Sequence, residues 1–140
     1  MKNFPGQENP AGIPALVLAY LGDAVYELYV RKYLISCGYT KVDSLHKKAV
    51  EFVNAATQAR VLRAISDNLS DEEAAVVRRG RNAKSGSAPK NMSVSDYRHG
   101  TALETLIGYL SFCGREDRID EILCTAREIV LSSAEGDHNH

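Results

Sequence analysis

The sequence predicts an all-α domain of about six to seven helices. No stretch alternates apolar and polar residues for long enough to make a strand, whereas apolar residues recur at helical spacing through most of the chain. Serine, asparagine and glycine punctuate these runs at the places where helices start and stop. With 140 residues, 44% of them apolar, the chain can build one core without disulfide or metal staples.

Taken in order, residues 1–12 carry Pro5, Gln7, Glu8 and Pro10 where a secretory leader would place an apolar core, and read as an extension. Residues 15–36 lack proline and are apolar on nearly every side, stopping before Gly38, which suits a left-handed helix stop. Residues 44–66 place Leu45, Ala49, Phe52, Val53, Ala56, Leu62 and Ile65 at helical spacing, and Asn54 is positioned to cap a new helix and break the run. Ser70 followed by Glu73 is a capping box that opens a helix through about Arg79. Residues 80–92 read as a loop, with two glycines, a proline and small polar side chains. Ser93 caps a helix to Phe112, stopped by Gly114; a last helix runs from Glu116 to Leu131, and the terminal SSAEGDHNH reads as frayed.

The charge balance, 17 basic against 18 acidic residues, argues against a polycation but leaves local patches open. Cys37, Cys113 and Cys124 are odd in number and contain no Cys-x-x-Cys pair, so neither a disulfide framework nor a zinc knuckle is expected, and free thiols fit a reducing compartment. The longest apolar stretch, Ala15 to Leu21, is seven residues, far short of the roughly 20 a bilayer span needs. No membrane role and a cytoplasmic location are therefore expected. His-Glu-x-x-His, Gly-x-Ser-x-Gly, Gly-x-Gly-x-x-Gly and calcium-loop patterns are absent. The Lys84-Ser85 pair lacks the glycine of a phosphate loop, having Ala83 before the lysine, and follows a helix instead of a strand.

Asp23 interrupts an apolar helix, where an ionised carboxylate is costly unless paired or bound to a cation. Beside it Gly22 weakens the helix, which suggests that another backbone approaches there. Glu104, between Leu103 and Leu106, repeats the pattern with Gly108 one turn on. If the two glycines mark a helix crossing, Asp23 and Glu104 project into a shared cleft, and clustered carboxylates without histidine or cysteine suit a hard cation such as Mg²⁺. The alternatives are a solvent-facing Asp23 beside a Glu27–Arg31 pair, and a structural Glu104 satisfied by Arg98 or Arg31.

From Ala74 to Ser95 there is no acid, while Arg78, Arg79, Arg81, Lys84 and Lys90 supply five positive charges around a small polar loop. Such a loop can press amides and basic side chains against phosphates, or can be a solvated surface. His46, Lys47 and Lys48 form a second, weaker basic group, or equally an ordinary wet helix face.

The segments LAYLGDAVYELYVRKYL (18–34), LHKKAVEFVNAATQA (45–59), RRGRNAKSGSAPKN (78–91) and YRHGTALETLIGYL (97–110) resemble the catalytic domain of the ribonuclease III family, in particular its bacterial short form, Mini-ribonuclease III. The resemblance places a ribonuclease III-like domain at 13–132, with a flexible tail at 133–140. Roughly thirty residues follow the last segment, too few for the family's double-stranded-RNA-binding domain. Asp23 matches the aspartate of the family's Leu-Gly-Asp signature and Glu104 the glutamate of its second acidic motif, both as metal ligands. Larger relatives have acids where this chain has Ala19 and Thr101, a reduced set that the short form shares and that favours a loosely held ion.

The implied activity is Mg²⁺-dependent hydrolysis of double-stranded RNA, with Mn²⁺ as a substitute, leaving 5′-phosphate and 3′-hydroxyl ends. The implied natural substrate is a precursor of large-subunit (23S) ribosomal RNA. The resemblance also implies a homodimer, to which the very apolar first helix would contribute surface. Arg78, Arg79, Arg81, Asn82, Lys84, Ser85, Lys90 and Asn91, with His46, Lys47 and Lys48, are the expected RNA contacts. The alternative is a catalytically inactive RNA-binding or ribosome-associated module on the same fold, favoured by Ala19 and Thr101 and opposed by the retention of both acids.

Overall fold

The computed structural model describes residues 9–83, 86 and 88–138, and among them are six α-helices, two short 3-10 turns and no strand. The helices are α1 (Ala15–Ser36), α2 (Val42–Val53), α3 (Ala55–Ile65), α4 (Asp71–Asn82), α5 (Val94–Phe112) and α6 (Glu116–His138). The 3-10 turns are Pro10–Gly12 and Ser66–Asn68. Among the described residues no helix is long and apolar enough to cross a membrane.

The caps act where the residue types suggest. Cys37 ends α1 ahead of Gly38, whose φ of 96° is the left-handed conformation that glycine adopts without a Cβ penalty. Asn54 breaks the second apolar run in two: its Oδ1 accepts the Thr57 N–H at 2.8 Å to start α3, and its Nδ2 donates to the Val50 carbonyl at 2.9 Å to close α2. The Ser70–Glu73 capping box forms with both hydrogen bonds present. Glu73 does a second job there, because its carboxylate also accepts from Arg118 of α6 at 2.9 and 3.2 Å. Arg118 extends the tie to the Asn68 carbonyl and to Glu121.

Two helix ends lie beyond their expected places. Helix α4 continues past Arg79 to Asn82, and α6 continues past Leu131 to His138. Gly80 is a packing residue and no stop: a Cβ there would lie 2.6 Å from Thr105 Oγ1 and 2.9 Å from the Ala102 Cα, so α4 lies flush against α5. In α6 no proline interrupts the final turns, and a single glycine, Gly136, costs a helix only about 1 kcal/mol.

Helix α5 is the hub and touches α1, α3, α4 and α6. From Gly100 onward it buries Ala102, Leu103, Leu106, Ile107 and Leu110, worth about 1.5–3 kcal/mol of transfer energy for each of the larger side chains. Tyr26, Val30 and Leu34 of α1, Phe52 of α2, Val61 and Leu62 of α3, and Ile119, Ile122 and Ala126 of α6 complete the core. The functional consequence of this hub is a close crossing of α1 and α5.

Candidate active site

Helices α1 and α5 meet backbone to backbone. A Cβ on Gly22 would fall 1.7 Å from the Glu104 carbonyl oxygen, and one on Gly108 would fall 1.9 Å from that of Leu18. Only glycine fits either position, so the crossing point is fixed by the pair. Asp23 follows Gly22 and Glu104 lies one turn before Gly108, and the crossing brings their side chains into hydrogen-bonding contact. Asp23 is exposed at the rim and Glu104 is half-buried beneath it.

The environment of Glu104 is electrostatically unusual. Burial, then the hydrogen bond its protonated form donates to Asp23 and the negative charge of Asp23, push its carboxyl up to about 8, while the Gln58 side chain of α3 acts in the opposite sense by donating to it. Glu104 is therefore largely protonated at neutral pH when nothing cationic is nearby. Among the described residues no arginine or lysine pairs with either acid; Arg31 is taken by Glu27 at 2.7 Å. The structural-acid alternative for Glu104 thus lacks its partner, while the Glu27–Arg31 pair forms as expected.

Two oxygen-donor carboxylates without an internal counter-ion fit a hard divalent cation, which relieves their mutual repulsion and takes other ligands from water and substrate. Among the described residues no group of three or more histidine, cysteine or acidic side chains gathers here or elsewhere. The two further acid positions of larger relatives are occupied differently: Ala19 is buried in the helix packing, and the Thr101 hydroxyl donates to the Tyr97 carbonyl at 3.1 Å within its own helix.

The basic residues do not form one set. Arg78, Arg81 and Asn82 are exposed along the last turns of α4, and Lys90 and Asn91 are exposed before α5, with Asn91 at a φ of 68°. Arg79 is half-buried and donates to the Ile13 carbonyl at 2.6 Å, strapping the start of the chain to α4. His46 and Lys47 are exposed on α2, whereas Lys48 pairs with Glu51 at 2.9 Å. Lys84 and Ser85 lie outside the described residues.

Residues 16–115, which span both acids and the basic segment, match the model of the ribonuclease III domain. The chain belongs to the ribonuclease III family. Within that family it is similar to proteins named Mini-ribonuclease 3. One from Brevibacillus brevis is 52% identical, the match covering 90% of each chain, and one from Symbiobacterium thermophilum is 43% identical over 87% of this chain and 94% of the relative. The crystal structure of a protein from Fusobacterium nucleatum superposes with a TM-score of 0.73 at 34% identity, covering 78% of this chain and 88% of that one. This ribonuclease III domain is an endoribonuclease, and the alternative of an inactive module gives way to that membership.

One residue beside the site of this ribonuclease III domain escaped the sequence reading. Gln58 is a buried amide on the face of α3 that otherwise carries Val61, Leu62 and Ile65. A polar residue at a core position of an amphipathic helix was the available signal, in the same way that Asp23 stood out in α1.

Proposed function

We propose that Asp23 and Glu104 are the metal-holding acids of a phosphodiester hydrolysis on double-stranded RNA, with Mg²⁺ as the resident ion and Mn²⁺ as a substitute. The observation that carries this reading is the contact of two carboxyls at the glycine crossing, one of them half-buried and unpaired with any cation among the described residues. When bound, the cation lowers the pKa of a water and neutralises charge building on the phosphate and the leaving 3′-oxygen, giving 5′-phosphate and 3′-hydroxyl ends. The protein's part is positional: the crossing sets the separation of the acids, and Gln58 and the surrounding core keep Glu104 from turning away.

Duplex RNA is read by shape through its phosphates and 2′-hydroxyls, and the exposed Arg78, Arg81, Asn82, Lys90 and Asn91 are suited to that. Lys84, Ser85, His46 and Lys47 belong to the same proposal. Arg79 and Lys48 already have internal partners and serve it less directly. A second copy of the chain supplies the second site, so that each strand is cut once. The exposed stripe Val17, Tyr20, Leu28 and Ile35 along α1 supports that dimer, with Tyr20 84% exposed. By the family resemblance the natural substrate is a precursor of 23S ribosomal RNA in the cytoplasm.

The test is cleavage of labelled duplex and single-stranded RNA by the parent, Asp23→Asn and Glu104→Gln, with Mg²⁺ or with chelator. Duplex cleavage by the parent alone, abolished by chelator, is expected, with RNA binding retained by both variants. Normal Mg²⁺-dependent cleavage by both variants would remove the acids from the mechanism.

A further inference from the structure

Gln58 is 5% exposed, and an amide costs more to bury than the leucine or methionine the same space would hold. Its location explains why an amide stands there. Helix α3 starts at the Asn54 cap, and the Gln58 N–H closes its first turn on the Asn54 carbonyl at 3.0 Å, so the cap sets the height of Gln58 along α5. The side chain then lies over Gly100, one turn before Glu104 on α5, where a Cβ would come within 2.8 Å of Gln58 Oε1. Gly100 thus leaves room for the amide beside α5, one turn from Glu104, whose carboxyl the amide holds down by donating to it.

From this placement we infer that Gln58 is a positioning residue for the metal site: its side-chain N–H holds one oxygen of Glu104 and leaves the other turned toward Asp23 and the cation. The inference rests on the role proposed above for Glu104. The choice of side chain follows from charge. A lysine or arginine at this place would neutralise Glu104 and displace a divalent ion, and an acid would add repulsion. An uncharged donor orients the carboxylate while preserving the negative charge the ion needs, as partners of metal-ligating carboxylates do elsewhere. The site is then built from three helices: α1 brings Asp23, α5 brings Glu104, and α3 brings the group that aims it.

Two substitutions separate positioning from packing. Gln58→Met keeps length and removes the donor; Gln58→Asn keeps the amide and shortens the reach. A packing role makes Asn the worse variant, because it leaves a void, and Met near neutral. A positioning role makes Met the worse one in metal dependence. The experiment measures cleavage of duplex RNA against Mg²⁺ concentration and, without RNA, the rise in unfolding temperature that Mg²⁺ produces, for the parent, both variants and Glu104→Gln.

The expected result is a folded Gln58→Met enzyme whose half-saturating Mg²⁺ rises by about 10–100-fold, with cleavage approaching the parent rate at saturation and a reduced Mg²⁺-induced shift. Gln58→Asn is expected to lie between it and the parent. Parent-like Mg²⁺ dependence in Gln58→Met, a larger Mg²⁺ defect in Asn than in Met, or failure of Gln58→Met to fold overturns the inference. Glu104→Gln separates the two readings: if it is inactive while Gln58→Met is parent-like, only the role of Gln58 falls, and if it cleaves normally the metal site falls with it.

Discussion

Gly22→Ala adds one methyl group at the place where α1 and α5 touch, and the structure says how far that group must move its neighbour. An ordinary carbon–oxygen contact is about 3.3 Å, and the new Cβ would start 1.7 Å from the Glu104 carbonyl, so the helices must part by about 1.6 Å at the crossing. The obstacle is backbone, and α3 and α4 hold α5 from other sides, so no side-chain rotation relieves it. Overpacking of this kind costs about 3 kcal/mol, against about 1 kcal/mol that alanine gains over glycine in a helix. The net loss of about 2 kcal/mol lowers the unfolding midpoint by roughly 6–10 °C for a domain of this size. The same displacement pulls Asp23 from Glu104, and a shift of about 1 Å in a catalytic group costs about 100-fold in rate. Thermal unfolding followed by circular dichroism, together with cleavage of labelled duplex RNA at saturating Mg²⁺, measures both effects. Gly12→Ala, with nothing within 4 Å of the added atom, is the matched control. Unchanged midpoint and rate in Gly22→Ala would refute the close crossing as the basis of the site.

Other consequences are equally measurable. The Glu73–Arg118 pair is nearly buried, with side chains 9% and 13% exposed. Burial alone would raise the Glu73 carboxyl, but hydrogen bonds from Arg118 and the Ser70 backbone, with the charges of Arg118 and Arg115, hold it below its ordinary value. Its stabilisation is thus full above the ordinary carboxylate range and lost as pH falls through the depressed value. Arg118→Ala should cost about 3 kcal/mol near neutrality and flatten the acid limb of stability against pH; parallel curves for parent and variant would contradict the pairing. Arg79→Ala should lower stability by about 1–2 kcal/mol and speed hydrogen exchange around Ile13 with little effect on the salt dependence of RNA binding, whereas Arg81→Ala should reduce that slope by about 1. If the two variants exchange these phenotypes, their roles have been assigned the wrong way round. Tyr20→Asp with Leu28→Asp should convert a dimer to monomers in sedimentation, and a parent that already sediments as a monomer would remove the α1 stripe from the proposal.

The readable parts of the molecule were those governed by local chemistry. Ser70, Ser93, Asn54 and Gly38 each specify a helix end through their own hydrogen bonds or backbone freedom, so their positions could be derived before any packing was known. The acids were legible for a related reason: each stands next to or one turn from a glycine in a largely apolar helix, and the glycines mark the α1–α5 crossing that brings the exposed Asp23 and the half-buried Glu104 together. What escaped depends on which helix lies opposite. Gly80 stands in a loop-like composition and is a contact with Thr105; Arg79 belongs to a basic run and is tied to Ile13; Gln58 becomes meaningful only beside Gly100 and Glu104. In each case the information resides in a partner far away in the chain.

The hydrogen bond from the buried Tyr26 hydroxyl to the Phe52 carbonyl, 2.9 Å long, has a mechanical meaning. That carbonyl belongs to the last turn of α2, where the helix itself supplies no donor, so α1 marks the joint from which α3 departs. Helix α1 is therefore the reference axis of the molecule. It bears Asp23, its glycine abuts the backbone of Glu104, and its tyrosine indexes the start of the helix that bears Gln58. Asp23 rides on α1 itself, whereas Glu104 and Gln58 are registered to it through these two contacts, so loosening either contact lets one group drift against the others.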